Sequence, residues 1–397
     1  MAAQRRDSID VLRGLALVAM VLCHYPIFLS SGAGQDAMLF FLSNHLLGGD
    51  FGASWFVFLV GLCQALSSMK ADAPGSGSTR RTIVRGAAIF VIGLLFLYFL
   101  QGYEELWDWD ILTFIGATTI LLIPVRRMPN WSVLLACAAI FFMTPWLRSF
   151  VDLAPLYGGG FESVEWFSNH FPNLLFDPRQ DYQGAHSFLG NVLGFVLIGQ
   201  FPLFPWLAYP LVGFVVGRKM VQNQLASDAP FILLLGLSFT FLGLFAATAG
   251  SQRAVISVPN DYITPLSFYP LSFSMCWFLL GVVLMLFIGL WRRYDATPQD
   301  TEKVSVFLAY TRLMSKYSLT VYISHFALFL IPFRIVKFAT GTDLHKNLVS
   351  TPTAFAMGIA LLLLYTPVLR RWDAAGGKFS CEWLLAKILS HAQTKAS

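Results

Sequence analysis

The chain has 397 residues, of which 56% are hydrophobic and only 12% are charged, and its mean hydropathy is +0.63. This composition excludes a water-soluble globular domain and predicts an all-α, polytopic integral membrane protein. The net charge of +5 comes from Lys and Arg near the ends of apolar segments. It indicates membrane topology and gives no support to nucleic-acid binding.

Ten apolar runs approach or reach the length that crosses a bilayer. They lie at about 9–29, 51–69, 83–100, 111–125, 131–146, 204–216, 231–248, 271–290, 317–336 and 354–369. Twenty of the 27 Lys and Arg residues fall on the same side as the N-terminus, and six fall in loops on the other side. Because cationic loops resist translocation, this pattern predicts about ten transmembrane helices with both termini in the cytoplasm.

The transmembrane domain is predicted to cover residues 1–371. Its longest external segment, 148–186, mixes aromatic and polar residues, which predicts a lid at the headgroup boundary or, as the alternative, a carbohydrate site. The stretch 187–218 is too long for one span and contains three central prolines, so its first half is a candidate re-entrant or interfacial helix. The tail, 372–397, carries an amphipathic pattern that predicts a helix along the inner membrane surface.

The first span carries two ionisable residues, Arg13 and His24. Eleven residues at 100° per residue place them on one helical face, about 16 Å apart along the axis. Arg13 is then near the cytoplasmic boundary and His24 in the outer half of the bilayer. Ionisable groups within spans usually face a cavity or a partner. The alternative is structural: Arg13 pairs with Asp10, and His24 hydrogen-bonds to a neighbouring span.

A second intramembrane histidine, His325, follows Lys316 by nine residues in the ninth predicted span. That spacing gives it a depth of about 13 Å, close to the depth of His24. A single buried histidine is more often a packing or hydrogen-bonding residue. Two histidines at similar depth, each following a cytoplasmic cation, predict a shared cavity.

Several polar residues are predicted at the outer ends of the spans. They are His45 and Asp50 before the second span, and Asp108 and Asp110 before the fourth. These side chains have two interpretations: an ordinary solvated loop, or a rim that binds an acceptor and raises the basicity of a nearby histidine.

Residues 8–24, "SIDVLRGLALVAMVLCH", carry a resemblance to a clan of transmembrane acyltransferases. Asp-x-x-Arg-Gly opens the first span, and the spacing from Arg13 to His24 is similar to the Arg-x10-His signature of the acyltransferase-3 family. Later blocks resemble the heparan-α-glucosaminide N-acetyltransferase family and its bacterial relatives. These blocks are "WFVFLVGLCQALS", "DILTFIGATTILL", "FPLFPWLAYPLVGFVVGR", "PLSFYPLSFSMCWFLLG" and "YSLTVYISHFALF".

The resemblance implies that acetyl-CoA binds from the cytoplasm and donates its acyl group to an amine or hydroxyl of an extracytoplasmic sugar or glycan. Arg13 would hold a CoA phosphate. Lys316 and Arg218 are further candidates for this cofactor-binding role.

The resemblance also implies a catalytic histidine, and His24 is the first candidate. The heparan-modifying family places its active histidine in the external segment between the first two spans, which makes His45 the second candidate. Asp50 is added because it occupies a place where some relatives have His. Substrate-binding candidates are His325, Asp108 and Asp110. The histidine either removes a proton from the acceptor or becomes acylated itself.

The rival hypothesis is a transporter or flippase for a sugar or lipid-linked substrate, in which Arg13, His24 and His325 line a pathway. Stabilisation by CoA separates the enzyme from the transporter. The histidine and cysteine spacings predict no metal site. The expected partners are the lipid bilayer and the glycan or amino-sugar acceptor, and a homodimer is left open. The expected location is a bacterial plasma membrane, with a lysosomal-type membrane as the alternative.

Overall fold

The computed structural model describes residues 5–31, 37–43, 49–68, 78–101, 109–148, 192–250, 271–296, 304–342, 344–345 and 348–394. Within these ranges all regular secondary structure is helical. The prediction of an all-α polytopic membrane protein is confirmed.

Eight helices among the described residues are long and apolar enough to cross a membrane. They are Asp7–Leu29, Phe51–Ser68, Thr79–Leu100, Asn130–Arg148, Leu225–Thr248, Phe273–Ala296, Ser318–Thr340 and Thr351–Ala374. The other two predicted spans correspond to the 15-residue helix Ile111–Val125 and the 14-residue helix Ala208–Val221. At 1.5 Å per residue these two reach only about 21–23 Å, which is shorter than the hydrocarbon core.

We number the helices of eleven or more residues in chain order. They are α1 (Asp7–Leu29), α2 (Gly49–Ser68), α3 (Ser78–Phe96), α4 (Ile111–Val125), α5 (Asn130–Arg148), α6 (Ala208–Val221), α7 (Leu225–Gly250), α8 (Phe273–Trp291), α9 (Val306–Lys316), α10 (Ser318–Thr340), α11 (Thr351–Ala374) and α12 (Cys381–Thr394). Shorter helical pieces are Ala37–Phe41, Leu97–Gln101, Gly194–Ile198, Leu203–Trp206 and Arg292–Ala296.

The chain divides into two compact units, and the first contains residues 1–59 and 283–397. Helix α1 is central to this unit and packs against α9, α10 and α11. Its side chains Leu12 and Leu17 have no exposed surface. A Cβ added to Gly14 would lie 2.9 Å from the Cα of Thr311, so the backbones of α1 and α9 approach closely there. Glycine permits that approach because it has no side chain.

Helices α9 and α10 follow each other with a break at Tyr317, whose backbone leaves the helical region (φ −109°, ψ 33°). The Ser305 side chain caps the start of α9 by accepting a hydrogen bond from the N–H of Leu308 at 3.2 Å. Helix α10 ends at Gly341, whose φ of +74° is the left-handed C-terminal conformation that favours glycine.

The second unit contains residues 60–282 and includes the predicted broken stretch. Phe204 is extended between two helical pieces, so the backbone here is irregular, as the prolines predict. The buried Arg148 guanidinium donates to the carbonyls of Leu197 (3.3 Å), Phe204 (3.4 Å) and Leu271 (2.7 Å). These carbonyls are therefore satisfied within the protein.

The predicted tail helix is present as α12. Phe379, Leu384 and Ile388 are exposed, and the Lys387 ammonium lies 5.2 Å from the Trp383 ring centroid. Apolar, aromatic and cationic groups on one surface are typical of interfacial helices. Its position along the inner membrane surface stays a prediction.

Candidate functional site

Arg13 and His24 both reach the α9–α10 pair. Arg13 contacts Ser315 at the end of α9, and His24 contacts His325 in α10. The two α1 side chains therefore share a face, as their spacing predicts. The shared face turns toward protein within the first unit, along the α9–α10 break.

The two intramembrane histidines are in direct contact. His24 Nδ1 lies 2.9 Å from His325 Nε2, the ring centroids are 5.2 Å apart, and the ring planes differ by only 6°. The centroid-to-centroid distance exceeds the N···N distance by about the sum of the two centroid-to-nitrogen distances. The two nitrogens therefore lie on the line that joins the centroids. The rings thus meet edge to edge in one plane, the alignment that a straight hydrogen bond requires.

His325 has no exposed surface, whereas His24 is partly exposed. The second ring nitrogen of His325, Nδ1, lies 3.1 Å from the carbonyl oxygen of Val321. Among the described residues, no group hydrogen-bonds Nε2 of His24. One end of the pair is thus anchored on the backbone of α10, and the other presents a ring nitrogen that has no hydrogen-bond partner among the described residues.

Aromatic rings surround this His24–His325 pair. The Phe326 centroid lies 4.5 Å from the His24 centroid and 4.3 Å from the His325 centroid, and Tyr322 lies 5.6 Å from His325. Phe28 lies 6.1 Å from His24 along α1. An apolar wall of this kind lowers the local dielectric around the imidazoles and strengthens the hydrogen bond between them.

The C-terminal end of α1 is tied to the connection between α10 and α11. The carbonyl of Leu29 accepts hydrogen bonds from the N–H groups of Leu348 (3.0 Å) and Val349 (3.1 Å). The Ser30 hydroxyl lies 3.0 Å from the Thr351 hydroxyl. These bonds fix the helix end that follows His24.

The N-terminal end of α1 contains a network of charged groups. Arg13 donates to the Ser315 hydroxyl at 2.9 Å, and this hydroxyl donates to Asp10 at 2.5 Å. Asp10 also accepts from Arg5, and Asp7 accepts two hydrogen bonds of 2.7 Å from Arg312. Arg13 and Asp10 are thus joined through Ser315. The sequence predicted a pairing of Arg13 with Asp10 as the structural alternative, but not the Ser315 bridge.

This network fits an anionic ligand in part. The charged groups joined by these contacts include Arg5, Arg6, Arg13 and Arg312 with Asp7, Asp10 and Asp295. Because Asp7 and Asp10 already hold arginines, a phosphate that binds here has to exchange partners with them.

Lys316 points to a different partner from Arg13. Its ammonium pairs with Asp373 at the end of α11, and the Tyr317 hydroxyl donates to the same carboxylate at 2.6 Å. Burial and this hydrogen bond raise the pKa of Tyr317 to about 12, so the phenol stays protonated at neutral pH. Lys316 therefore joins α9 to α11, and the structure provides no support for its predicted cofactor-binding role.

Arg218 lies in the second unit and is 8% exposed. Its guanidinium donates to the carbonyls of Val125 (2.8 Å), Arg126 (2.7 Å) and Met128 (2.6 Å), at the C-terminal end of α4. It also donates to the Asn130 side chain at 3.0 Å. These hydrogen bonds cap α4, because the last carbonyls of a helix need donors. Arg218 was expected to contact a CoA phosphate, and its guanidinium instead contacts these carbonyls.

Asp110 is 3% exposed and caps α4, where its carboxylate accepts a hydrogen bond from the N–H of Leu112 at 3.0 Å. The structure thus places it in a helix cap instead of an exposed rim. Asp50 lies in the first turn of α2, and its side chain is outside the described part of the chain. His45 and Asp108 are outside the described residues altogether.

The chemistry available at the site is acid–base chemistry at an imidazole. His24 combines a bonded nitrogen with a second nitrogen that is free to receive a proton. Within the ranges that the structure describes, His, Cys, Asp and Glu form no group of three that could hold a metal ion.

Residues 5–176 match the family model described as heparan-alpha-glucosaminide N-acetyltransferase, catalytic. The chain is therefore similar to that family over less than half of its length, which supports the resemblance seen in the motifs. The matched region includes Arg13, His24 and His45 and ends before α9 and α10, so His325 lies outside it. No curated protein matches the chain.

Proposed function

We propose that this protein is a membrane-embedded acetyltransferase that acts on glycans. It takes the acetyl group from acetyl-CoA at the cytoplasmic side and transfers it to an amine or hydroxyl of an extracytoplasmic sugar. The supporting findings are the family match over residues 5–176, the transmembrane helices and the arrangement of Arg13 and His24 on one face of α1.

The observation that carries the proposal is the shared face of Arg13 and His24 along the α9–α10 break. Eleven residues of helix separate them by about 16 Å. This separation is comparable to an extended pantetheine arm, so a CoA phosphate near Arg13 places the thioester near His24. Arg13 supplies charge-assisted hydrogen bonds for the phosphate.

The reaction has a simple proton balance. The acceptor nitrogen or oxygen attacks the thioester carbonyl, a bond to the acyl carbon forms, and the C–S bond breaks. The acceptor gives one proton to His24, and His24 returns that proton to the departing thiolate. The products are the acetylated sugar and free CoA, and His24 is unchanged after each turnover.

The candidate residues in the predicted external segments are assigned to binding of the sugar acceptor. His45, Asp50 and Asp108 are proposed to line the approach to His24 from outside, where carboxylates and an imidazole hydrogen-bond sugar hydroxyls and amines. Asp110 and Arg218 are left out, because both side chains cap α4.

The irregular backbone before α6 does not favour the transporter hypothesis. Irregular backbone at membrane depth lines a pathway only where its polar groups face water or substrate. Here Arg148 satisfies carbonyls on Leu197, Phe204 and Leu271. The break is consistent with protein-internal packing.

The test is acetyl transfer by the purified full-length protein in detergent. Labelled acetyl-CoA is incubated with a panel of glucosamine-terminated oligosaccharides and neutral sugars, and acetylated product is counted. Wild type is expected to make product. His24→Ala is expected to lose transfer by about 10²-fold or more while it still binds CoA. Arg13→Ala is expected to raise the KM for acetyl-CoA with a smaller effect on kcat.

His391→Asn is the matched control, because His391 lies on the exposed tail helix α12. It is expected to retain wild-type kcat. Full activity in His24→Ala together with loss in His45→Ala would move the chemistry to the external segment. Two results together would overturn the enzyme hypothesis in favour of a transporter. Wild type would consume acetyl-CoA with none of the acceptors, and it would take up sugar into proteoliposomes without CoA.

A further inference from the structure

The His24–His325 pair has a fixed order of donors and acceptors. The carbonyl oxygen of Val321 can only accept a hydrogen bond. His325 Nδ1 lies 3.1 Å from it and therefore carries a hydrogen. In a neutral imidazole the other nitrogen is then unprotonated, so His325 Nε2 is an acceptor.

The donor and acceptor roles of the His24 nitrogens follow from those of His325. Its Nδ1 lies 2.9 Å from His325 Nε2, in the plane of both rings. Because His325 Nε2 is the acceptor, His24 Nδ1 is the donor and carries a hydrogen. The remaining nitrogen of His24, Nε2, then holds the lone pair, and no described residue hydrogen-bonds it.

We propose that His325 is a positioning residue that fixes His24 in the Nδ1–H tautomer, so that His24 Nε2 is the atom that takes the proton from the acceptor. This inference rests on the proposed acetyltransferase function. It also changes the role expected for His325: a side chain with no exposed surface acts through His24 and does not touch the acceptor.

Protonation of His24 extends the role of His325. When Nε2 takes the acceptor's proton, His24 carries hydrogens on both nitrogens and one positive charge. Its Nδ1–H bond to His325 becomes charge-assisted and stronger. The Nδ1 hydrogen also has a path along the 2.9 Å contact to His325 Nε2, which shares the charge between the two rings. The same proton returns from Nε2 to the thiolate, so the pair ends in its starting state.

Among the residues that the structure describes, the titratable groups named in contacts around the pair are aromatic or imidazole side chains. Tyr322 packs on His325, and Tyr365 of α11 lies 2.6 Å from the Ser324 hydroxyl. The His345 ring lies 5.3 Å from the Phe28 ring. Within the described part of the chain these contacts supply no carboxylate, and the described group that supports the imidazolium is His325.

The first test compares two substitutions at His325. The side-chain oxygen of Gln accepts a hydrogen bond from His24 Nδ1–H, whereas Leu has a similar volume and accepts none. His325→Leu is expected to lower kcat by about 10²-fold with an unchanged KM for acetyl-CoA. His325→Gln is expected to recover at least a tenth of wild-type kcat. His391→Asn is again the control that keeps wild-type values.

Folding of each variant is checked by its Tm and by the rise in Tm on addition of CoA. Wild-type kcat in a folded His325→Leu protein would overturn the proposal. Equal losses in folded His325→Leu and His325→Gln would also overturn it, because the acceptor atom would then have no effect.

The second test observes the tautomer directly and applies even if the His325 substitutions disturb folding. The ¹⁵N spectrum of histidine-labelled wild type is compared with that of His24→Gln, and the signals lost in the variant belong to His24. A protonated Nδ1 and an unprotonated Nε2 are expected at neutral pH. The opposite tautomer would overturn the inference. Because this measurement needs no turnover, it separates failure of the proton order from failure of the proposed function.

Discussion

The carboxylate of Glu382 accepts a hydrogen bond from the backbone N–H of Leu319 at 2.6 Å. It also accepts from the N–H of Thr320 at 3.1 Å and from the Thr320 hydroxyl. A residue of α12 thus caps the first turn of α10, the helix that carries His325. The tail helix is tied to the candidate site through the backbone of α10.

Removal of this cap is expected to destabilise the protein. Glu382→Ala leaves the N–H groups of Leu319 and Thr320 without their partner and removes a negative charge from a helix N-terminus. We expect a loss of about 1–2 kcal/mol, measured as a lower Tm. His391→Ala, on the same helix and away from α10, is the control. An unchanged Tm in Glu382→Ala would show that the cap contributes nothing to stability.

The close approach of α1 and α9 predicts opposite effects for two glycine substitutions. In Gly14→Ala the new Cβ would lie 2.9 Å from backbone of Thr311, so the helices must move apart. We expect a loss of about 1–3 kcal/mol. In Gly289→Ala the new Cβ meets nothing within 4 Å, and the higher helix propensity of alanine is expected to leave Tm unchanged or raised. Equal Tm values for both variants would contradict the packing.

The helix-capping role of Arg218 predicts a stability defect without a defect in acetyl-CoA binding. Arg218→Ala leaves buried carbonyls at the end of α4 without donors, and we expect a loss of about 2–3 kcal/mol. The KM for acetyl-CoA is expected to stay at its wild-type value in the folded fraction. Lys219→Ala is the control, because its ion pair with Asp228 is partly exposed and contributes about 1 kcal/mol or less. A raised KM with an unchanged Tm would restore Arg218 to the cofactor site.

A base at His24 predicts direct transfer without an acetylated enzyme. Labelled CoA and unlabelled acetyl-CoA are incubated with the enzyme in the absence of a sugar. We expect no exchange of label into acetyl-CoA, because the thioester is cleaved only when the acceptor attacks. Exchange that disappears in His24→Ala would instead show that His24 becomes acylated.

The membrane fold was largely predictable because it depends on local composition. Eight predicted spans match helices of spanning length, since apolar runs of sufficient length are visible in the sequence. Of the two shorter helices, α4 has the bounds predicted for it, whereas α6 begins at Ala208 and not at residue 204, because prolines interrupt that apolar run. The role of Asp110 was harder to predict, since a carboxylate before an apolar run is both a cap signal and a candidate rim residue.

The site was predictable only in part. The helical period placed Arg13 and His24 on one face, and the depth estimate placed His325 near His24. The contact of Arg13 with Ser315 was not predictable, because Ser315 lies about 300 residues from α1 in sequence. The contacts of Arg218 were not predictable for a similar reason: its acceptors are mostly backbone carbonyls, which leave no side-chain signal.

Transfer across a sealed membrane decides whether this protein moves an acetyl group from acetyl-CoA on one side to a sugar on the other. The protein is reconstituted in vesicles with its cytoplasmic side outward, labelled acetyl-CoA is added outside, and a glucosamine-terminated oligosaccharide is trapped inside. Wild type is expected to accumulate labelled sugar in the lumen, and His24→Ala is expected to accumulate none. Equal lumenal product from both proteins, or wild-type product only when sugar and acetyl-CoA are on the same side, would contradict the account.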